Sequence, residues 1–179
     1  KVFTKAVKAK TGQTCRRWRD KSIMEEMKPV VFKLDSENYG VDISRVLGIE
    51  REQQIVRVPN TVSYIKGIMN LRGEIIPVYD LRKKFGLPAV QNQDIQFIIV
   101  RVKDSKIALE VDGVKEIHDV AQENKFPVPP ICINENTRYF ESVIKSDNTL
   151  IVLINVDYLL SDEEMKRIDE LVNSESTQE

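Results

Sequence analysis

From residue 29 onward, apolar positions recur every second residue in short runs. VVFKL (30–34), YGVDI (39–43), IIPVY (75–79), QFIIVRV (96–102), KIALEV (106–111) and TLIVLINV (149–156) are rich in β-branched residues. That period and composition predict strands with one or both faces buried. Turn chemistry separates them: DSEN at 35–38, RG at 72–73, KDS at 103–105 and SDN at 146–148. Helical signals are few. Asp80 is placed to cap a short helical turn closed by Gly86, with Pro88 beyond it. Ser161 and Glu164 have the spacing of a capping box, and Leu160 can staple onto Met165. Met165, Ile168, Leu171 and Val172 then share one face, which predicts a C-terminal helix over 162–172 docked on a mostly-β body, and residues 173–179 fray.

The pattern repeats itself. A shift of 68 lays YGVDISRVLGI (39–49) on IALEVDGVKEI (107–117), with Val46 on Val114 and Ile49 on Ile117. A shift of 75 lays 64–85 on 139–160 without a gap, with Tyr64 on Tyr139 and Asp80 on Asn155. Seven extra residues are absorbed around FPVPPICINEN in the second copy. Identities are few, but the alternation and the turns coincide, which is the mark of a duplicated β unit of roughly sixty residues. A unit that small buries only about 60% of its unfolded surface, so two should pack together. The expected architecture is two small barrels, one over about 29–90 and one over about 95–160, with a groove between them.

Charge adds an asymmetry. Residues 1–28 hold nine Lys/Arg against three acids, +6, and the remaining 151 residues hold 18 against 25, −7. The basic head could serve as a nucleic-acid arm. A disordered or non-native extension is the preferred account, since MEEMKPVVF from Met24 reads like a natural start, the chain opens at Lys1, and the acidic body offers a polyanion nothing further. Small barrels with a basic arm do hold single strands, but such binders need aromatic stacking platforms that the strands do not supply. No run reaches the eighteen apolar residues of a membrane span. Cys15 and Cys132 lie 117 positions apart and form no metal or redox spacing.

Enzyme chemistry finds little support. Glu74 and Asp80 would lie about 20 Å apart along one strand at roughly 3.3 Å per residue, too far for an acid–base pair. His118 is the single histidine, and Asp119 beside it points to the opposite face of a strand. No phosphate-cradling loop, dinucleotide fingerprint, nucleophile elbow or zinc-protease motif occurs. Recognition fits better. Gly67 and Gly73 allow tight turns or close backbone approach, and Arg72 offers a forked donor beside apolar neighbours.

PVVFKLDSENYGVDISRV, then VRVPNTVSYIKGIMNLRGEIIPVYDLRKKFG, then VDGVKEI resemble the CheW family of chemotaxis coupling proteins over about residues 29–170. The resemblance implies two SH3-like five-stranded β-barrels and a non-catalytic adaptor without cofactor or metal. It implies a cytoplasmic protein of chemoreceptor arrays that does not enter the membrane. Its partners would be the regulatory domain of the CheA histidine kinase and the cytoplasmic tip of methyl-accepting chemoreceptors, with possible ring assembly through other CheW-like domains. The same motif occurs as one domain of CheA and of CheV, so an excised domain of either is an alternative. By motif position the receptor groove would take Val46, Arg72 and Ile75, with Phe97 facing them from the second copy. The kinase face would take Ile49, Lys66, Gly67 and Ile68. Two positions depart from pattern. Gly48 stands where many relatives carry an acid, and Ser142 stands where the repeat suggests glycine.

Overall fold

A computed structural model describes residues 28–170 except 52, 60, 89–94, 116–119, 121, 147–148, 162 and 167–169. His118, the second-copy residues Glu116 and Ile117, the basic head before Lys28 and the helix-face residues Ile168, Leu171 and Val172 therefore lie outside the described residues. The strands are β1 (Pro29–Leu34), β2 (Glu37–Asp42), β3 (Val46–Arg51), β4 (Ile55–Val56), β5 (Ile65–Leu71) and β6 (Glu74–Asp80). After a short helix α1 (Leu81–Lys84) come β7 (Gln96–Val102), β8 (Ser105–Val111) and β9 (Gly113–Val114). The last three are β10 (Lys125–Pro127), β11 (Phe140–Ser146) and β12 (Thr149–Ile154). They form two six-stranded sheets, ordered β10-β11-β12-β2-β1-β9 and β3-β7-β8-β6-β5-β4.

This order redraws the expected halves. One sheet is the continuous stretch from β3 to β8, residues 46–111, and the other joins the N-terminal hairpin to β9–β12. The chain passes between sheets at β2–β3, through a single 3-10 turn, and at β8–β9, through Asp112. Each sheet thus takes strands from both 29–90 and 95–160, and carries a sixth strand beyond the five expected.

The duplication is visible in the register. Val31 pairs with Gly40 and, 68 residues on, Ile99 pairs with Ala108. Val78 lies beside Ala108 in a parallel pair, and Leu153 lies beside Gly40 in the equivalent one. Both late hairpins bulge at the same place, between Ile65 and Gly67 and between Phe140 and Ser142. Asp80 caps α1 by accepting from the Lys83 amide at 3.0 Å, and Asn155 caps its own turn by accepting from the Asp157 amide at 3.0 Å.

Alternation along β1 and β7 sorts the core into three parts. Val30, Phe32 and Leu34 with Ile98, Val100 and Val102 meet between the sheets, where Tyr79, Tyr139, Leu159 and Met165 join them. Phe97 and Ile99 point the other way, onto Met69, Ile76, Val78 and Ala108 of their own sheet. Val31 does the same with Ile144, Ile151 and Leu153. A sheet that packs one face on itself has curled into a barrel. The capping box is present as expected, Ser161 amide to Glu164 Oε2 at 2.7 Å and Glu164 amide to Ser161 Oγ at 3.2 Å.

Ser142 is the cost of an imperfect repeat. It is buried, and among the described residues its hydroxyl has no hydrogen-bond partner. Ser142→Ala removes an orphaned polar group, so it should raise the unfolding free energy by about 1 kcal/mol in urea titration. A loss of stability would show that the hydroxyl has a partner after all.

Candidate functional site

Arg72 occupies the tip of the β5–β6 hairpin with φ +56, followed by Gly73 at +89. Two successive positive φ values match the twist of the flanking strands, and the Gly73 amide donates to Asn70 Oδ1 at 2.8 Å to fix the turn. The Arg72 side chain is 83% exposed and reaches across the barrel mouth to Glu50 on β3, with Nη2 at 3.2 Å from Oε1. Arg72 is therefore aimed rather than free to sweep, although an exposed pair of this kind contributes little stability. Val46, at the start of β3, packs against the core between the sheets. Ile75, half-buried, lies opposite Asn70 in the same hairpin. Arg72 and Ile75 thus share a hairpin tip, and the Glu50 contact joins that tip to the strand of Val46.

Phe97 does not join them. It is 3% exposed, lies inside the barrel, and belongs to the same sheet as β3, β5 and β6 rather than to the opposite barrel. The alternation of β7 explains this, because 97 and 99 face the barrel interior while 98, 100 and 102 face the seam.

The second expected set divides as well. Ile49 is 41% exposed on β3, together with Leu47, on a strand whose one ladder partner among the described strands is β7. Lys66 donates to both oxygens of Glu110, at 2.7 and 2.8 Å. Gly67 and Ile68 are buried against β4, where Ile68 lies opposite the exposed Val56. A cleft of about 650 Å³ lies beside them. Arg51 and Lys66 flank it, Phe97 lies at its wall, and the Asp112–Val114 crossover closes one side. Glu74 and Asp80 are structural, Glu74 pairing with Lys106 at 2.5 Å and Asp80 capping α1.

Sequence reasoning passed over the exposed apolar positions. Val56, Phe126, Ile131 and Ile133 are all exposed, and Ile131 is 93% so. The signal was present in the Pro-flanked FPVPPICI run, where ladder pairing stops at Pro127 and Ile131 and Ile133 fall beyond the strand. Among the described residues no group of three or more His, Cys, Asp and Glu is placed to hold a metal, and no helix is long and apolar enough to cross a membrane.

Comparison with known proteins places this geometry. The family model of the CheW-like domain matches residues 28–164. The chain is 32% identical to a chemotaxis protein CheW of Klebsiella aerogenes over 146 residues, covering 81% of this chain and 88% of that one. It is 30% identical to the CheW of Treponema pallidum, covering 82% and 89% respectively. The crystal structure of the scaffolding protein TtCheW from Thermoanaerobacter tengcongensis superposes with a TM-score of 0.71 at 35% identity, over 78% of this chain and 95% of that one. With the duplicated barrels and the hairpin-tip arginine in place, this chain belongs to the CheW family of chemotaxis coupling adaptors.

Proposed function

We propose that this adaptor holds two partners at once in the cytoplasm, the regulatory domain of a CheA histidine kinase and the cytoplasmic tip of a methyl-accepting chemoreceptor. It catalyses no reaction, takes no cofactor, and joins membrane-anchored arrays through its partners. The observation that carries the reading is the hairpin-tip Arg72, 83% exposed and braced by Glu50 beside Ile75. An amphipathic receptor helix needs an apolar trough with a charged rim, and Arg is a favoured anchor at interface centres. Val46 supplies the neighbouring apolar contact.

The kinase arm uses the exposed edge of β3 at Ile49, with Lys66 at the cleft rim. Gly67 and Ile68 serve it indirectly, by setting how closely β4 approaches β5. Phe97 acts from inside the barrel, as support for the β3 edge.

Arg72→Ala tests the assignment. Co-sedimentation with receptor-tip fragments should weaken about tenfold, the usual scale for losing an interface anchor, and kinase binding should stay within about twofold. Equal loss of both arms, or of neither, would contradict it.

A further inference from the structure

Three residues lie side by side on the inner face of the 46–111 barrel. Phe97 on β7 is the direct ladder partner of Glu50 on β3 and of Glu110 on β8. Directly opposed residues share a face, with Cβ atoms about 4.5–5.5 Å apart. Glu50, Phe97 and Glu110 therefore form one row across three strands, two carboxylates flanking a ring buried in the barrel.

Each carboxylate meets a cation, one from each end of β5. Lys66 is the inserted residue of the bulge between Ile65 and Gly67, and a bulge re-aims the side chain it carries. It donates to both oxygens of Glu110, in a pair that is mostly buried. Glu110 is thereby occupied, and Glu50 is the carboxylate of the row that meets Arg72, at 3.2 Å. The partners in this second pair are unlike. Glu50 is only 23% exposed, with its place set by the ladder beside Phe97, whereas water surrounds the guanidinium. A fixed anion thus holds one edge of a long side chain whose other donors face outward.

We propose, resting on the reading of Arg72 as the receptor anchor, that Glu50 is the positioning residue of that anchor. It fixes the guanidinium over the barrel mouth before the receptor arrives. An arginine left to sweep loses its rotamer freedom on binding, and that loss weakens the complex. Phe97 then serves the receptor arm at one remove, through the place it gives Glu50. Because an exposed ion pair contributes little stability, removing Glu50 should show in binding and in the motion of Arg72, and not in unfolding.

The test uses the full chain, receptor-tip fragments and the variants Glu50→Ala, Glu50→Gln and Arg72→Ala. Nitrogen relaxation at Arg72 Nε in the free protein should report a restricted side chain in the parent and a freely rotating one in Glu50→Ala. Glu50→Gln, whose amide oxygen still accepts, should fall between them. Receptor affinity should drop about fivefold in Glu50→Ala and about twofold in Glu50→Gln. Glu50→Ala added to Arg72→Ala should lose nothing further, since Glu50 acts through Arg72. Urea midpoints of the Glu50 variants should match the parent. An Arg72 side chain as mobile in the parent as in Glu50→Ala would overturn the proposal. So would Glu50 variants that bind the receptor more tightly, which would make Glu50 a mask of the Arg72 charge. A further loss on top of Arg72→Ala would also overturn it, by giving Glu50 a contact of its own. If Arg72→Ala leaves receptor binding intact, the receptor reading falls instead, and the relaxation measurement alone decides whether Glu50 positions Arg72.

Discussion

Gly67→Ala should cost the fold about 3 kcal/mol or more, a loss in the range reserved for strained or overpacked backbone positions. Gly67 has φ +153, and a Cβ built there would lie 2.1 Å from the Val56 carbonyl oxygen and 2.9 Å from its carbon. Those atoms belong to the β4–β5 ladder, which pairs Ile55 with Met69 and Val56 with Ile68. Backbone cannot rotate aside as a side chain would, so β4 must separate from β5. Two controls frame the result. Gly73→Ala meets nothing within 4 Å but retains φ +89, and should cost about 1 kcal/mol. Gly48→Ala meets nothing and needs no unusual φ, and should be nearly neutral. Urea midpoints of the three variants would decide it. A Gly67→Ala protein within about 0.5 kcal/mol of the parent would remove the steric explanation. The same result bears on function, because a Gly67 variant that loses kinase binding would do so through displaced β4 rather than a lost contact.

The second large effect is expected at the seam. Arg82 bonds Asp112 and lies 3.3 Å from Asp35, and the Asp35 amide donates to Asp112 at 2.5 Å. These groups come from α1, from the β8–β9 crossover and from the β1–β2 tip, so the cluster ties both sheets together. The Arg82 and Asp112 side chains are each 11% exposed. Asp112→Ala should therefore destabilise by about 3–4 kcal/mol, mostly through leaving a buried guanidinium short of its partner. The repeat supplies the comparison. Position 157 is the equivalent of 82, and there the charges are reversed, with Asp157 accepting from Arg45 at 2.5 Å and from the Lys103 amide at 3.3 Å. That pair is more open to water, so Asp157→Ala should cost about 1 kcal/mol or less. Equal losses at the two sites, measured by urea unfolding, would show that burial does not set the difference.

Much of this was legible in the chain. Strands β1, β2, β6, β7, β8 and β12 stand out by local alternation, and the turns at Asp35, Arg72 and Lys103, the Asp80 cap and the Ser161 box rest on interactions within a few residues of each other. The pattern does not name β3, β4, β5, β9, β10 and β11. The shifts of 68 and 75 survive as register, because a strand displaced by one residue would turn its whole apolar set outward. Sheet membership was another matter. β6 beside β8 and β12 beside β2 are parallel pairs between distant segments, and nothing in a local pattern names a distant partner. Phe97 failed for a related reason. On β7 both faces are buried from Phe97 to Val100, one in the barrel and one at the seam, so the pattern marks each of these positions as core without saying which core. Arg72 was readable because a charged residue at a hairpin apex is exposed in almost any packing.

The most direct measurement is a three-component sedimentation. Receptor-tip fragments, the regulatory domain of the kinase and this chain are mixed, and each pair is run beside the triple mixture. The adaptor reading predicts that the chain pellets or shifts with each partner separately, and that the two partners co-migrate only when it is present. If receptor and kinase fragments co-migrate equally well without it, or if the chain binds neither, the bridging function is wrong.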